Sequence, residues 1–189
     1  MTDPDASTLS EIATAFVAVR TARLILRRPR EDDGSAMFAV HGDPATNLHN
    51  PAGPDLDLAT SEETLRGWLR RWNDDGFGYW TVLLPGVLGA GEKIVGFGGV
   101  TRLAWREREA LNLYYRLTPS AWGQGYAGEL ARTAVDLARA YLPHLPVIAR
   151  MRASNTASQR TAARAGLERR PDLETEHMVF ALGWPPDDE

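Results

Sequence analysis

Between Leu117 and Gly128 the chain reads Leu117-Thr118-Pro119-Ser120-Ala121-Trp122-Gly123-Gln124-Gly125-Tyr126-Ala127-Gly128: an apolar strand pattern runs into a glycine-bearing turn that opens a helix. Backbone N–H groups at a helix start lack intrahelical acceptors and carry about half a positive charge through the macrodipole. Glycine removes the side chain that would hold an anion off. That combination is a cradle for a phosphate or pyrophosphate. The plain alternative is a tight strand-to-helix turn with no ligand. Gly123-x-Gly125-x-x-Gly128 also fits the dinucleotide-binding fingerprint, which calls for an acid about 20 residues later. Here the following strand offers Arg150 and Arg152 instead, which would suit an extra 2′-phosphate. An NADP-type dinucleotide enzyme therefore stays as a second enzymatic reading. Against it, the fingerprint belongs to the first βαβ unit of a parallel sheet, whereas this turn follows an antiparallel series.

Other chemistries are excluded by residue type. The chain has 189 residues and no Cys, so thiolate zinc sites, iron–sulfur clusters, disulfides and a Cys nucleophile drop out. His41, His49, His144 and His177 show no metal-ligand spacing. The net charge of −4 argues against nucleic acid as a partner of the whole surface. Met1-Thr2-Asp3-Pro4-Asp5 is acidic where a secretory signal is basic, and the apolar run from Ile12 to Val19 falls far short of the ~20 residues of a membrane span. No membrane segment and a cytoplasmic location are the default expectations.

The elements that must hold the turn follow from periodicity. Thr8-Leu9-Ser10-Glu11 has capping-box spacing for a short helix. Leu24 to Arg28 reads as a strand stopped by Pro29, and Asp32 or Asp33 can cap a helix through Ala36, Met37 and Val40. His41 to Thr60 is loop by composition. Leu65, Trp68, Leu69 and Trp72 recur at helical spacing within Ser61 to Asn73, with Glu62 and Glu63 at its positive end. Strands follow at Tyr79–Leu84, Lys93–Val100 and Ala110–Leu117 across short connections, which implies antiparallel neighbours. From Gly123 the period changes: Ala127, Leu130, Ala131, Ala134, Val135, Ala138 and Tyr141 form one helical stripe, ended by Pro143 and Pro146. A strand at Val147–Met151, a helix from Thr156 to Ala165 and a strand at Met178–Leu182 complete a mixed α/β sheet, an antiparallel meander followed by strand–helix–strand. The expected layout is one domain over 21–185 behind an N-terminal extension over 1–20.

With these residues placed, the sequence resembles the GNAT superfamily of N-acetyltransferases, from about Thr21 to Trp184. The superfamily motif Arg/Gln-x-x-Gly-x-Gly/Ala aligns with Trp122-Gly123-Gln124-Gly125-Tyr126-Ala127, with Trp122 replacing the opening residue. Thr21-Ala22-Arg23-Leu24-Ile25-Leu26-Arg27, Tyr115-Arg116-Leu117-Thr118-Pro119 and Asn155-x-x-Ser158 before Ala165-Gly166-Leu167 resemble the branch that acetylates ribosomal-protein N-termini (RimJ/RimL-like). The resemblance implies a twisted sheet whose strands at Ala110–Leu117 and Val147–Met151 splay apart. Acetyl-CoA would be the cosubstrate, with pantetheine bonded near Leu117 and Thr118 and pyrophosphate on the amides of Trp122, Gly123, Gln124, Gly125, Tyr126 and Ala127.

The same resemblance assigns roles to single residues. Relatives carry a tyrosine seven positions after the motif asparagine, where this chain has Ala162, so the thiolate partner passes to Ser158, as is usual in the N-terminal branch. Asn155 would cap its helix and contact pantetheine. The glutamate that serves as base in relatives aligns with Asn112, which cannot take a proton. The catalytic set is therefore Ser158 with a water chain at Asn112, or an acid from elsewhere such as Glu109 or Glu129. Trp80 falls where relatives wall the acceptor pocket. A backbone N–H between Leu113 and Arg116 would polarise the thioester. The expected partner is an amine, on a protein N-terminus or a small molecule, with no metal; a homodimer is compatible. A non-catalytic acyl-CoA-binding module on the same fold is the alternative that Asn112 keeps open.

Overall fold

The computed structural model describes residues 6–86 and 91–185. Part of the Gly-rich connection after Leu84 and the acidic residues Met1 to Asp5 lie outside them. The sheet has eight strands. β1 (Ala18–Arg20), β2 (Ile25–Arg27), β3 (Tyr79–Leu84), β4 (Lys93–Trp105) and β5 (Arg108–Leu117) are antiparallel neighbours in chain order. β6 (Val147–Met151) lies parallel to β5, and β8 (Met178–Leu182) sits antiparallel between β6 and β7 (Glu168–Arg169). This is the mixed sheet that the strand and helix periods imply.

Helices cover both faces. α1 (Ala6–Val17), α4 (Tyr126–Tyr141) and α5 (Thr156–Arg164) pack on one, where Phe16, Trp80, Val82, Val100, Leu113 and Leu130 share a core. α2 (Gly34–His41) and α3 (Leu58–Asp75) pack on the other, around Met37, Val40, Leu65 and Phe97. The stripe of Leu130, Ala131, Ala134, Val135 and Ala138 is the buried face of α4.

Several boundaries differ from expectation for identifiable reasons. Within residues 6–20, Ile12 and Phe16 are buried in the core, and β1 pairs with β2. α3 begins at Leu58, three residues early, because the Asp57 carboxylate accepts the Thr60 N–H at 2.8 Å. β4 runs five residues past Val100 into a two-residue turn at Arg106 and Glu107, both at positive φ (49° and 61°). Such a pair matches the twist of a hairpin, usually with Gly or Asn; without either, the turn carries no sequence signal. α4 starts at Tyr126, since Gly123 and Gly125 both take left-handed backbone. Asp33 makes no side-chain cap for α2. Its carboxylate instead accepts from Arg27 (2.8 and 2.6 Å), the Thr81 hydroxyl (2.7 Å) and the Arg30 N–H (2.9 Å). Burial opposes its charge, and these bonds outweigh burial and hold the carboxyl below its ordinary range.

His41, at the end of α2, is buried between Trp68, Phe97 and Tyr114. Its Nε2 lies 2.9 Å from the Tyr114 hydroxyl and its Nδ1 3.8 Å from Asp55. Burial, helped by the Arg116 charge and opposed by Asp55, pushes its pKa down to about 4. In the unfolded chain a histidine titrates near 6.5. The unfolded state therefore takes the proton first, so stability is complete above about pH 6.5 and falls as pH drops toward 4, by about 3 kcal/mol in all. Urea unfolding at pH 7 and pH 4.5 should show that loss in the wild type and a flatter decline in His41→Gln. Identical slopes would mean that His41 is charged in the folded state.

Candidate active site

β5 and β6 pair only at their beginnings, Leu111 with Val147 and Asn112 with Ile148, and then diverge. The Leu111 N–H donates to Pro146 O and the Thr118 N–H to Val95 O, each at 2.8 Å. Backbone groups alternate sides along a strand in continuous register. The N–H and C=O of Tyr115 and Leu117 therefore turn into the gap, where no strand meets them. A cleft of about 1030 Å³ follows this gap between α5 and the start of α4.

At one end lies the glycine turn. Gly123 and Gly125 have φ of 73° and 79°. A Cβ built on Gly123 or Gly128 would meet nothing within 4 Å, so the space in front of the turn is open. Gly125 is the N-cap residue and has no side chain to accept from the first-turn N–H groups of α4. An uncapped helix start facing open space fits an anion such as a phosphate. Trp122 ties the turn to β5: its Nε1–H donates to Leu117 O at 2.8 Å, so this carbonyl already has one partner.

Arg23 buttresses the turn from outside. Its guanidinium donates to Gln124 O at 2.7 Å, pairs with Glu129 at 2.7 Å and stacks over Tyr126. Glu129 also accepts from the Thr21 hydroxyl and the Arg23 N–H. Burial works against its charge, and these bonds prevail and hold its carboxyl below the ordinary range. A carboxylate so committed is a poor base. Glu109 pairs with Arg102 at 3.5 Å and does not line the cleft.

At the other end, Asn155 caps α5, its Oδ1 accepting the Ser158 N–H at 3.1 Å. Asn155 and Ser158 both line the cleft. Tyr115, absent from the expected set, lines it too and donates its hydroxyl to Ser158 O at 3.0 Å. Burial, partly offset by that bond, pushes its pKa up to about 12, so the hydroxyl stays protonated at neutral pH. Strand alternation puts its side chain on the face of β5 opposite Asn112, and packing against α5 makes that the cleft face.

Four expected site residues lie elsewhere. Trp80 is fully buried, stacks on Phe16 and donates its Nε1–H to Phe16 O at 2.6 Å, so it belongs to the core and does not line this cleft. Asn112 projects from the opposite face of β5 and donates to the Tyr79 hydroxyl at 2.7 Å, outside the cleft lining. The Thr118 N–H is taken by β4 and its hydroxyl lies 3.2 Å from that of Ser120. Gln124 is exposed beside the cleft, with its carbonyl held by Arg23. Glu62 and Glu63 pair with arginines on α3.

The loop after α2, read only as loop from its composition, closes the remaining wall with Thr46, Leu48, His49 and Asn50. Asn47 fastens it, its side-chain amide donating to His41 O (2.7 Å) and Asp43 O (2.9 Å) while its Oδ1 accepts from Arg116 at 2.8 Å. Among the described residues no group of three His, Cys, Asp or Glu side chains could hold a metal, and no helix is long and apolar enough to cross a membrane.

Comparison with known proteins identifies the fold and the family. The acetyltransferase (GNAT) domain model matches residues 23–168. An acetyltransferase from Agrobacterium tumefaciens strain C58 superposes with a TM-score of 0.73 at 24% identity, over 88% of this chain and 94% of that one. Mycobacterium smegmatis RimJ in complex with CoA-disulfide gives 0.65 at 19%, over 84% and 81%. RimL, a ribosomal alpha-N-protein acetyltransferase in complex with coenzyme A, gives 0.63 at 14%, over 87% and 97%. At such identities the structural likeness is one of fold, while the domain match spans most of the chain. The chain belongs to the GNAT acetyltransferase family and is an acyltransferase.

Proposed function

We propose that this chain transfers an acetyl group from acetyl-CoA directly to a primary amine, on a protein N-terminus or a small molecule. One observation carries the reading: a single cleft joins the unpaired edge of β5 to an uncapped, glycine-lined helix start. The amides from Gly123 to Ala127 would hold the pyrophosphate, and the β5 edge at Leu117 the pantetheine amides, with Asn155 beside them. The Tyr115 N–H, which faces the gap, would bond the thioester carbonyl as charge develops on its oxygen.

In the transfer the amine lone pair attacks the carbonyl carbon. The C–N bond forms, the C–S bond breaks, the nitrogen releases a proton to water and the sulfur takes one up. Ser158 Oγ stabilises the leaving thiolate, with Tyr115 fixing the first turn of α5 through Ser158 O. Glu129, the carboxylate among the described lining residues, is committed to Thr21 and Arg23. The acceptor must then arrive neutral, which favours an α-amine, with a pKa of about 7.7–8.0, over a lysine near 10.4.

Thermal unfolding with saturating acetyl-CoA, beside NADPH, tests the donor. Ligand at 100 times its dissociation constant adds about 2.7 kcal/mol; a shift with NADPH alone would replace this reading with the dinucleotide one. Thiol release with peptide amines then separates an enzyme from a binding module. Ser158→Ala should lower kcat about 10- to 100-fold, the worth of one hydrogen bond to a charged group, and change the KM for acetyl-CoA much less. Undiminished kcat would remove Ser158 from the chemistry.

A further inference from the structure

The chain is acidic overall, at −4, yet its cleft is lined by arginines. These divide by face. Arg132, Arg160 and Arg164 rise from α4 and α5, on the side of the glycine turn, where the phosphates of CoA would account for them. Arg116 and Arg150 stand on the other face. The Tyr115 side chain points to α5, so its neighbour Arg116 points away; Ala149 and Met151 are buried in the α4 core, so Arg150 points away as well. Arg116 stacks on Tyr114 and donates to Asn47, and Arg150 stacks on Trp105. Among the described residues neither forms an ion pair. Arg152 continues the line at the cleft edge, near the contact of His49 with Ser154.

A phosphate-bearing donor threaded along the α4 and α5 side leaves this second group of charges unused. Both guanidiniums line the cleft on this face, and neither is in an ion pair among the described residues, so each can donate charge-assisted hydrogen bonds to a carboxylate. Resting on the acetyl-transfer reading above, we propose that the acceptor is an α-amine that carries a carboxylate close by, recognised by Arg116 and Arg150. An Asp or Glu at the second or third position of a protein N-terminus supplies that group, since two residues of extended chain span about 7 Å. The α-carboxylate of a free amino acid supplies the same chemistry on a shorter carrier. A polyamine or a basic N-terminus meets like charge.

The test compares thiol release from the intact enzyme with acetyl-CoA and paired acceptors: peptides beginning Ser-Asp-Glu and Ser-Lys-Arg, and free serine beside serine amide. The acidic peptide is expected to exceed the basic one in kcat/KM by at least about 30-fold at low salt, with the gap narrowing as ionic strength rises. An advantage of free serine over its amide, at the efficiency of the acidic peptide, would make the acceptor's own carboxylate the source. Arg150→Gln should raise the KM for the acidic acceptor about tenfold and shrink the preference, and Arg150→Lys should restore part of it. Arg150 is exposed, so these variants fold. Equal turnover of all four acceptors would overturn the carboxylate preference and leave acetyl transfer standing. Acetylation of none of them, without any stabilisation by acetyl-CoA, would overturn both.

Discussion

Gly125→Val is expected to weaken CoA binding by about 100-fold or more while the protein stays folded. Gly125 sits at φ 79°, where a β-branched residue is strained by roughly 1–2 kcal/mol, and its Cβ would stand 3.4 Å from the Arg23 guanidinium. The chain can relieve the strain only by moving the turn, and the turn presents the N–H groups that face the open space. Each hydrogen bond to a charged group contributes about 1.5–3 kcal/mol, so losing two reaches that factor. Calorimetric titration with CoA reads it directly. Gly183→Val is the control: it has φ 71° and ordinary room but lies outside the cleft lining, so it carries similar strain without touching the turn. Unchanged affinity in Gly125→Val would mean that the anion binds elsewhere.

Phe16→Ala should lower stability by about 3–5 kcal/mol, the usual cost of emptying a buried aromatic site. Phe16 is fully buried, with its ring centroid 5.4 Å from Phe77 and 5.6 Å from Trp80, and its carbonyl accepts the Trp80 indole N–H. For a domain of this size that is a fall of roughly 10 °C in Tm. Deleting residues 1–20 should cost more, since it strips Phe16 and Ile12, leaves the buried Trp80 N–H without its acceptor and exposes the edge of β2. A truncated chain with the Tm of the intact one would show that α1 packs too loosely to matter.

The two cases mark what a sequence can and cannot disclose. The glycine turn was legible because its chemistry is local: Gly123 and Gly125 fix the backbone shape, and the α4 stripe fixes which side of the helix is buried. Phe16 and Trp80 were not legible, because their partnership joins residues 64 apart in the chain. A tryptophan in a strand has two faces to choose from, and α1 decided which one was covered.

The catalytic end shows the same division. Asn155 as a cap was readable from its spacing to Ser158, a contact of three residues. Asn112 was assigned to the site by likeness, yet the alternation of β5 turns it to Tyr79 while its strand-mate Tyr115 meets Ser158 across 43 residues. Glu129 kept its place beside the turn but not its freedom, since Thr21 and Arg23 reach it from more than 100 residues away.

By itself the sequence determined the order of the helices and of six of the eight strands, the glycine turn, the buried stripe of α4 and the cap of α5, all set by neighbours within a few residues, while the short strands β1 and β7 carried no signal of their own. Only the tertiary structure decided which carboxylates are consumed by ion pairs, that α1 completes the core and that Arg116 and Arg150 line the cleft from the face opposite α4 and α5. Those depend on which side of a strand meets which helix, and that is settled by packing between distant segments.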